Sequence, residues 1–319
     1  MSKVRNVGLR IVGCGGAGAN LVHRLHRKGH DAVGWIAVDT DAEHLDGIQA
    51  PKKIMVGITT SRGFGSGGDP EVARRGAIEH REDIEKALYG ARMVFVVCGM
   101  GGGSGGGIGP VVARLAKAQG AFTIGVAILP FSSEGPERMA KALEGLRVLR
   151  EVCDQVVTIS NDILPETAPK ANLGEAFTAL DELLMKGIIA IASPVQAPGS
   201  VNPDMEDVKA VLHDGEFAMV GYGESTDGDA AASKATESAL RNPFLSQRAP
   251  DQAKGAMLRI VGGKSLAVDD AQKAADLLGS RLPKQARIVW SSSVGPSPEM
   301  NGEAVATVLL TGFGLPTAT

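Results

Sequence analysis

At 319 residues the chain has room for two packed units of ordinary size, because single cores stop growing at about 250–300 residues. Its 44% apolar and 22% charged residues exclude a disordered chain, and 33 basic against 36 acidic residues leave no basic field for nucleic acid or an anionic membrane. Aromatic residues, at 4%, are too few for an RNA-stacking or carbohydrate platform, whereas glycine, at 42 residues, stands at roughly twice its usual share.

The first half alternates in character. Val7–Val12, Val33–Val38, Met93–Cys98, Phe122–Ile128 and Val156–Ser160 are short apolar, largely β-branched runs, and each predicts a strand. Between them lie predicted helices at Gly16–Lys28, Pro70–Leu88, Gly107–Gln119 and Glu134–Glu151. The strand runs are continuously apolar rather than alternating, which fits a parallel sheet covered on both faces. A long apolar helix follows at Leu173–Ile191, then a Pro-, Gly- and Ser-rich loop at Ser193–Pro203. The remainder predicts helices at Asp204–His213, Asp229–Arg241 and Val268–Leu278. Its strands are Phe217–Tyr222, Ala256–Val261, Ala286–Ser291 and Ala304–Leu310, a smaller α/β unit with a mixed sheet.

Cys14, Cys98 and Cys153 are far apart, with no Cys-x-x-Cys pair and no secretory leader, so a reduced, cytoplasmic protein without a disulfide frame is expected. The longest apolar stretches are too short to span a bilayer. His23 and His26 are spaced i, i+3, but no carboxylate completes a set, so no metal site is expected from the protein's own side chains.

Two glycine clusters carry the chemistry. Gly13-Cys14-Gly15-Gly16-Ala17-Gly18 follows a strand and opens a helix, where backbone N–H groups and the helix dipole favour phosphate. Asp39 lies 21 positions beyond Gly18 at the end of the next strand, where a dinucleotide fold holds ribose. An NAD-dependent oxidoreductase is therefore one reading, and a ligand-free tight turn another. Gly99–Gly107 has seven glycines in nine residues between a strand and a helix. Ordering such a loop is costly, which points to a ligand pressed against the main chain, with Ser104 adding a hydroxyl. The P-loop lysine is absent. A dehydrogenase needs only the first cluster, whereas a nucleoside triphosphate uses both.

Further blocks appear in order: AVDTDAEHL, RGFGSGGDPE, GMGGGSGGG, PFSSEGPERM, ISNDIL, EAFTALDELL and PGSVNPDMEDVK. With IVGCGGAGAN they resemble the tubulin/FtsZ superfamily, close to FtsZ, over nearly the whole chain. The resemblance implies an α/β fold with a Rossmann-like parallel-sheet GTPase domain (1–170). A central helix and catalytic loop (171–203) and a smaller C-terminal α/β domain with a mixed sheet (204–319) would follow it. It implies GTP/GDP and Mg²⁺ as ligands. Gly15, Gly16, Ala17, Gly18, Gly102, Gly103, Ser104 and Gly105 would wrap the phosphates, with Gly67 and Gly68 beside them. Asn20 would face the nucleotide, Glu134 the ribose and Arg138 a phosphate. Asn161 and Asp181 would read guanine, with Phe177 flanking the base. A carboxylate such as Asp181 accepts well from guanine's N1–H/N2–H₂ edge, and Asn161 offers a donor to O6 or N7. Taken singly, Asp181 is also an exposed helix residue paired with Lys186, Phe177 a core residue and Asn161 a helix cap.

Asn202-Pro203-Asp204-Met205-Glu206-Asp207 predicts a well-capped helix start, with Asn202 as the cap and Pro203 in the first helical position. The resemblance adds a catalytic role for Asn202, Asp204 and Asp207, which would reach the nucleotide of the next subunit and orient water for attack on the γ-phosphate. Several positions depart from the family pattern. Ser104 and Gly106 stand where threonines are usual, Asp39 and Asp69 where asparagines are usual, and Pro203 where an apolar residue is usual. The chain ends shortly after its last predicted strand, which suggests a tail-less FtsZ-like paralogue or a truncated core. The expected function is GTP-dependent assembly into head-to-tail protofilaments with hydrolysis at the subunit interface, in cell division or related cytoskeletal work. Other FtsZ-like subunits are possible partners, while nucleic acid and direct membrane binding are not expected. A scaffold that polymerises without hydrolysis is the alternative in the same family.

Overall fold

The computed structural model describes residues 8–29, 33–167, 170–196, 203–213, 217–246, 250–263, 266–295 and 302–314. They form two compact units that divide between residues 162 and 163. In the first unit the strands are β1 (Leu9–Cys14), β2 (Gly34–Asp39), β3 (Lys52–Met55), β4 (Met93–Gly99), β5 (Phe122–Leu129) and β6 (Gln155–Ser160). They lie in the order β3-β2-β1-β4-β5-β6, every pair parallel. The apolar runs required burial on both faces, and β4 and β5 have it: Val94, Phe95, Val96, Val97, Ile124 and Val126 are fully buried.

The helices of this unit are α1 (Gly15–His26), α2 (Ala42–Gly47), α3 (Pro70–Glu79), α4 (Arg81–Leu88), α5 (Gly103–Ala118) and α6 (Pro136–Val152). Two sequence expectations need correction. Pro70–Leu88 is two helices broken at His80, whose backbone (φ −106°, ψ 25°) leaves the helical ladder. The His80 ring supplies the reason, since its Nδ1 stands 3.3 Å from the amide N of Gly57 and so anchors the preceding loop. The helix expected from Gly107 begins instead at Gly103, so half of the glycine run is helix rather than loop. These glycines meet protein. A Cβ on Gly107 would lie 2.2 Å from the carbonyl oxygen of Pro70, and one on Gly105 would lie 2.3 Å from that of Gly99.

The second unit carries α7 (Leu164–Thr167), α8 (Leu173–Gln196), α9 (Met205–His213), β7 (Phe217–Ser225), α10 (Ala231–Leu240), α11 (Pro243–Ser246), β8 (Gly255–Gly262), α12 (Val268–Ser280), β9 (Arg287–Val294) and β10 (Ala304–Phe313). β10 is antiparallel to both β7 and β8, and β8 runs parallel to β9, giving the mixed sheet the pattern predicted. Its core sets alanines of α10 and α12 against Leu258, Ile260, Val308 and Leu310. α8 runs on to Gln196, so Ser193–Gln196, expected in a loop, is helical. Among the described residues no helix is long and apolar enough to cross a membrane.

Candidate functional site

A parallel sheet in this order reverses its winding between β1 and β4, and ligands bind in α/β sheets at the carboxyl ends flanking such a switch point. The register aligns those ends, because Cys14 on β1 pairs with Cys98 on β4. Both glycine clusters therefore leave the sheet side by side. Gly15 takes a left-handed φ of +71°, and a Cβ there would lie 2.6 Å from the amide nitrogen of Gly105, so each cluster shapes the other.

Above them opens a cleft of about 770 Å³ lined entirely by the first unit. Of the predicted site residues, Gly16, Ala17, Asn20, Gly67, Gly68, Gly102, Gly103, Ser104, Gly105, Glu134, Arg138 and Asn161 line it. The start of α5 brings its N-terminal amides there, where an anion is favoured. Gly15 and Gly18 are predicted residues outside this lining. Gly15 abuts Gly105, and a Cβ on Gly18 would lie 2.3 Å from the carbonyl oxygen of Val97, so both hold the turn together. Glu134 and Arg138 form an ion pair at 3.0 Å, and Glu134 also accepts from the amide of Phe131 at 2.8 Å. Asn161 opens the short turn after β6. Its buried Oδ1 has no partner among the described residues, which leaves an acceptor to be satisfied at the cleft wall.

Phe177 and Asp181 lie on α8 in the second unit, with Asp181 2% exposed. Lys186, the simple partner for Asp181, instead pairs with Glu224 at 3.4 Å and sits over the Tyr222 ring. Asn202 lies outside the described residues. Asp204 caps α9. Its Oδ1 accepts from the amide of Asp207 at 2.8 Å, while Oδ2 of Asp207 accepts from the amide of Asp204 at 3.2 Å. The helix begins two residues later than Pro203 implied, because this reciprocal pair starts it. Each carboxylate keeps a second oxygen at an exposed helix start.

Sequence reasoning missed Asp41, His44, Phe64 and Ser66, all of which line the cleft. His44 and Asp41 stood within AVDTDAEHL, but nothing in their spacing showed that α2 would turn them inward. Asp39, the ribose-acid candidate of a dinucleotide fold, is 2% exposed and already engaged by Thr40 and His44. Asp69 is likewise engaged, accepting from the amide of Glu71 at 2.8 Å as the cap of α3. Among the described residues no group of three His, Cys, Asp or Glu side chains is placed to hold a metal ion.

Residues 9–169 match the family model described as the Tubulin/FtsZ family GTPase domain, and residues 216–314 match the FtsZ family C-terminal domain. A cell division protein FtsZ of Haloferax mediterranei is 38% identical over 97% of this chain and 81% of that protein. A cell division protein FtsZ 1 of Pyrococcus abyssi is 40% identical over 95% of this chain and 80% of its own length. The solved structure of an empty FtsZ dimer from M. jannaschii superposes with a TM-score of 0.85 at 37% identity, covering 96% of this chain and 88% of that one. Matched along both units, the chain belongs to the tubulin/FtsZ family of guanine-nucleotide-binding GTPases, on its FtsZ side.

Proposed function

We propose that the first-unit cleft takes the triphosphate of GTP and that subunits stack head to tail, each supplying Asp204 and Asp207 to the nucleotide of its neighbour. The observation that carries this reading is the pair of glycine-built turns, set in register at the switch point and opening into one cleft. The amides of the α5 start and of the first turn of α1 suit phosphate oxygens, and the ion-paired Arg138 stands at the same wall for charge. The Oδ1 of Asn161, without a partner among the described residues, suits an N–H donor of the guanine edge. Nucleotide binding is thereby assigned to residues 1–170 and assembly chemistry to the central helix and the region after it.

Mg²⁺ enters this reading on the triphosphate. The carboxylates of the cleft are engaged within the protein, Asp39 by His44, Asp41 by the amide of His44 and Glu134 by Arg138. That ion characteristically keeps several waters and rides on phosphates.

In a filament, the free oxygens of Asp204 and Asp207 at the α9 start would orient the attacking water in line with the γ-phosphate. Self-association is supported by the FtsZ dimer among the solved relatives, and a cell-division or related cytoskeletal role by the names of the homologues. A cytoplasmic setting accords with the three free, buried cysteines. The test is phosphate release alongside negative-stain microscopy in GTP, GDP, ATP and NAD. Filaments and turnover with GTP alone are expected. Equal affinity for ATP, or tighter binding of NAD, would overturn the reading.

A further inference from the structure

Asp39 ends β2 with both carboxylate oxygens engaged. Oδ1 accepts from the amide of Thr40 at 2.7 Å, and Oδ2 faces Nδ1 of His44 at 2.9 Å. His44 stands early in α2, its own amide donating to Oδ1 of Asp41 at 3.0 Å. The other ring nitrogen, Nε2, lies 3.1 Å from Oδ1 of Asn20 on α1. An imidazole set between a carboxylate oxygen and an amide oxygen meets two acceptors, and only the imidazolium donates to both. The charged groups facing it are Asp39 from β2 and Asp41 from the cap of its own helix. From α1 comes Asn20, while His23, one turn further on, is taken by the amide of Gln49 at 2.8 Å. Asp39, His44 and Asn20 all line the nucleotide cleft.

A buried carboxylate beside phosphate oxygens repels them, and more so where water is scarce. A cation held against that carboxylate cancels the repulsion. An amide whose oxygen is engaged offers the cleft its NH₂ end, which suits an anion. We propose that His44 is a positioning residue of the nucleotide site, holding Asp39 as an ion pair and turning the Asn20 amide so that a donor meets the phosphates. The proposal rests on the reading that this cleft takes GTP.

The test is a binding cycle, with GTP and GDP titrated by calorimetry in the presence of Mg²⁺ against the wild type, His44→Ala, Asp39→Asn and the double variant. His44→Ala strands the Asp39 charge and should weaken both nucleotides by roughly ten- to a hundredfold, the scale of a lost hydrogen bond to a charged group. Asp39→Asn alone supplies the uncharged reference against which the double variant is read. Adding Asp39→Asn to His44→Ala should recover most of the loss, which a purely structural histidine would not allow. Should His44→Ala fail to fold, His44→Gln, which keeps a donor without the charge, carries the same cycle. Wild-type affinity in the histidine variant, or a double variant as weak as the single, would overturn the proposal and leave the nucleotide reading standing. A wild-type chain that binds neither GTP nor GDP would overturn both.

Discussion

The hydroxyl of Ser104, in the first turn of α5, stands 2.8 Å from the hydroxyl of Thr40 at the end of β2. Ser66 adds a third hydroxyl at 3.3 Å. This cluster ties the second glycine turn to the loops on either side of the cleft. Thr40 is fully buried, so removing its partner leaves a polar group poorly satisfied. Ser104→Ala should cost about 1–3 kcal/mol and lower the melting temperature by several degrees. Calorimetric melts with and without GTP check this, and an unchanged melting temperature would show the cluster to be idle.

The glycines of α5 divide by what stands opposite them. A Cβ at Gly106 finds only the Pro70 side chain at 3.9 Å, whereas one at Gly107 would lie 2.2 Å from the Pro70 carbonyl oxygen. Gly106→Ala should therefore stabilise by about 0.5–1 kcal/mol through helix propensity. Gly107→Ala should destabilise by about 1–3 kcal/mol or more, because backbone must move. Denaturant midpoints of the two variants should shift in opposite directions; a shared direction would refute the packing account.

Asp207→Asn keeps an acceptor for the amide of Asp204 and discards the charge. It should fold and assemble as the wild type does, yet hydrolyse GTP more slowly by about 10²–10⁴-fold. Asp204→Ala should also lose about 1 kcal/mol of stability as a missing cap. Specific activity should climb with protein concentration above a threshold. Phosphate release proportional to dose from the lowest concentration would mean that each monomer is complete, and would return this helix start to a plain cap.

Cys14, Cys98 and Cys153 are buried and free. Burial pushes the Cys153 thiol far up, and Cys98 is raised by hydrogen bonding with Cys14 and by burial. Since the thiolate is the reactive form, an aromatic disulfide reagent should find no thiol in the native protein and three after unfolding. Rapid native labelling would contradict the burial of these thiols.

The parallel sheet was legible because Met93–Cys98 is apolar on every residue and its counterparts are mostly apolar without alternating, which two-sided burial explains. β3 was not, since it is four residues long and opens on Lys52 and Lys53. The glycine run was legible as special, but not as helix from Gly103. Composition shows that side chains are excluded, not whether a ligand or Pro70 excludes them. The Asp39–His44 pair spans the turn from β2 into α2, and neither a strand nor a helix period connects positions five apart across such a turn. Likewise the reciprocal bonds of Asp204 with Asp207, which start α9 at Met205, follow no sequence period.

Where α5 meets α3, main chain rests on main chain. A Cβ on Gly103 would lie 2.7 Å from the amide nitrogen of Asp69, and four residues on Gly107 meets Pro70 in the same way. Side chains ordinarily act as padding between helices, changing rotamer to absorb a shift of a few tenths of an ångström. At these glycines the seam has little padding beyond the Ser66 hydroxyl and the Ala73 methyl. A displacement of the α5 start should be passed to α3 with little loss, as between the teeth of a gear, so that whatever presses on the floor of the cleft also shifts the helix beside it.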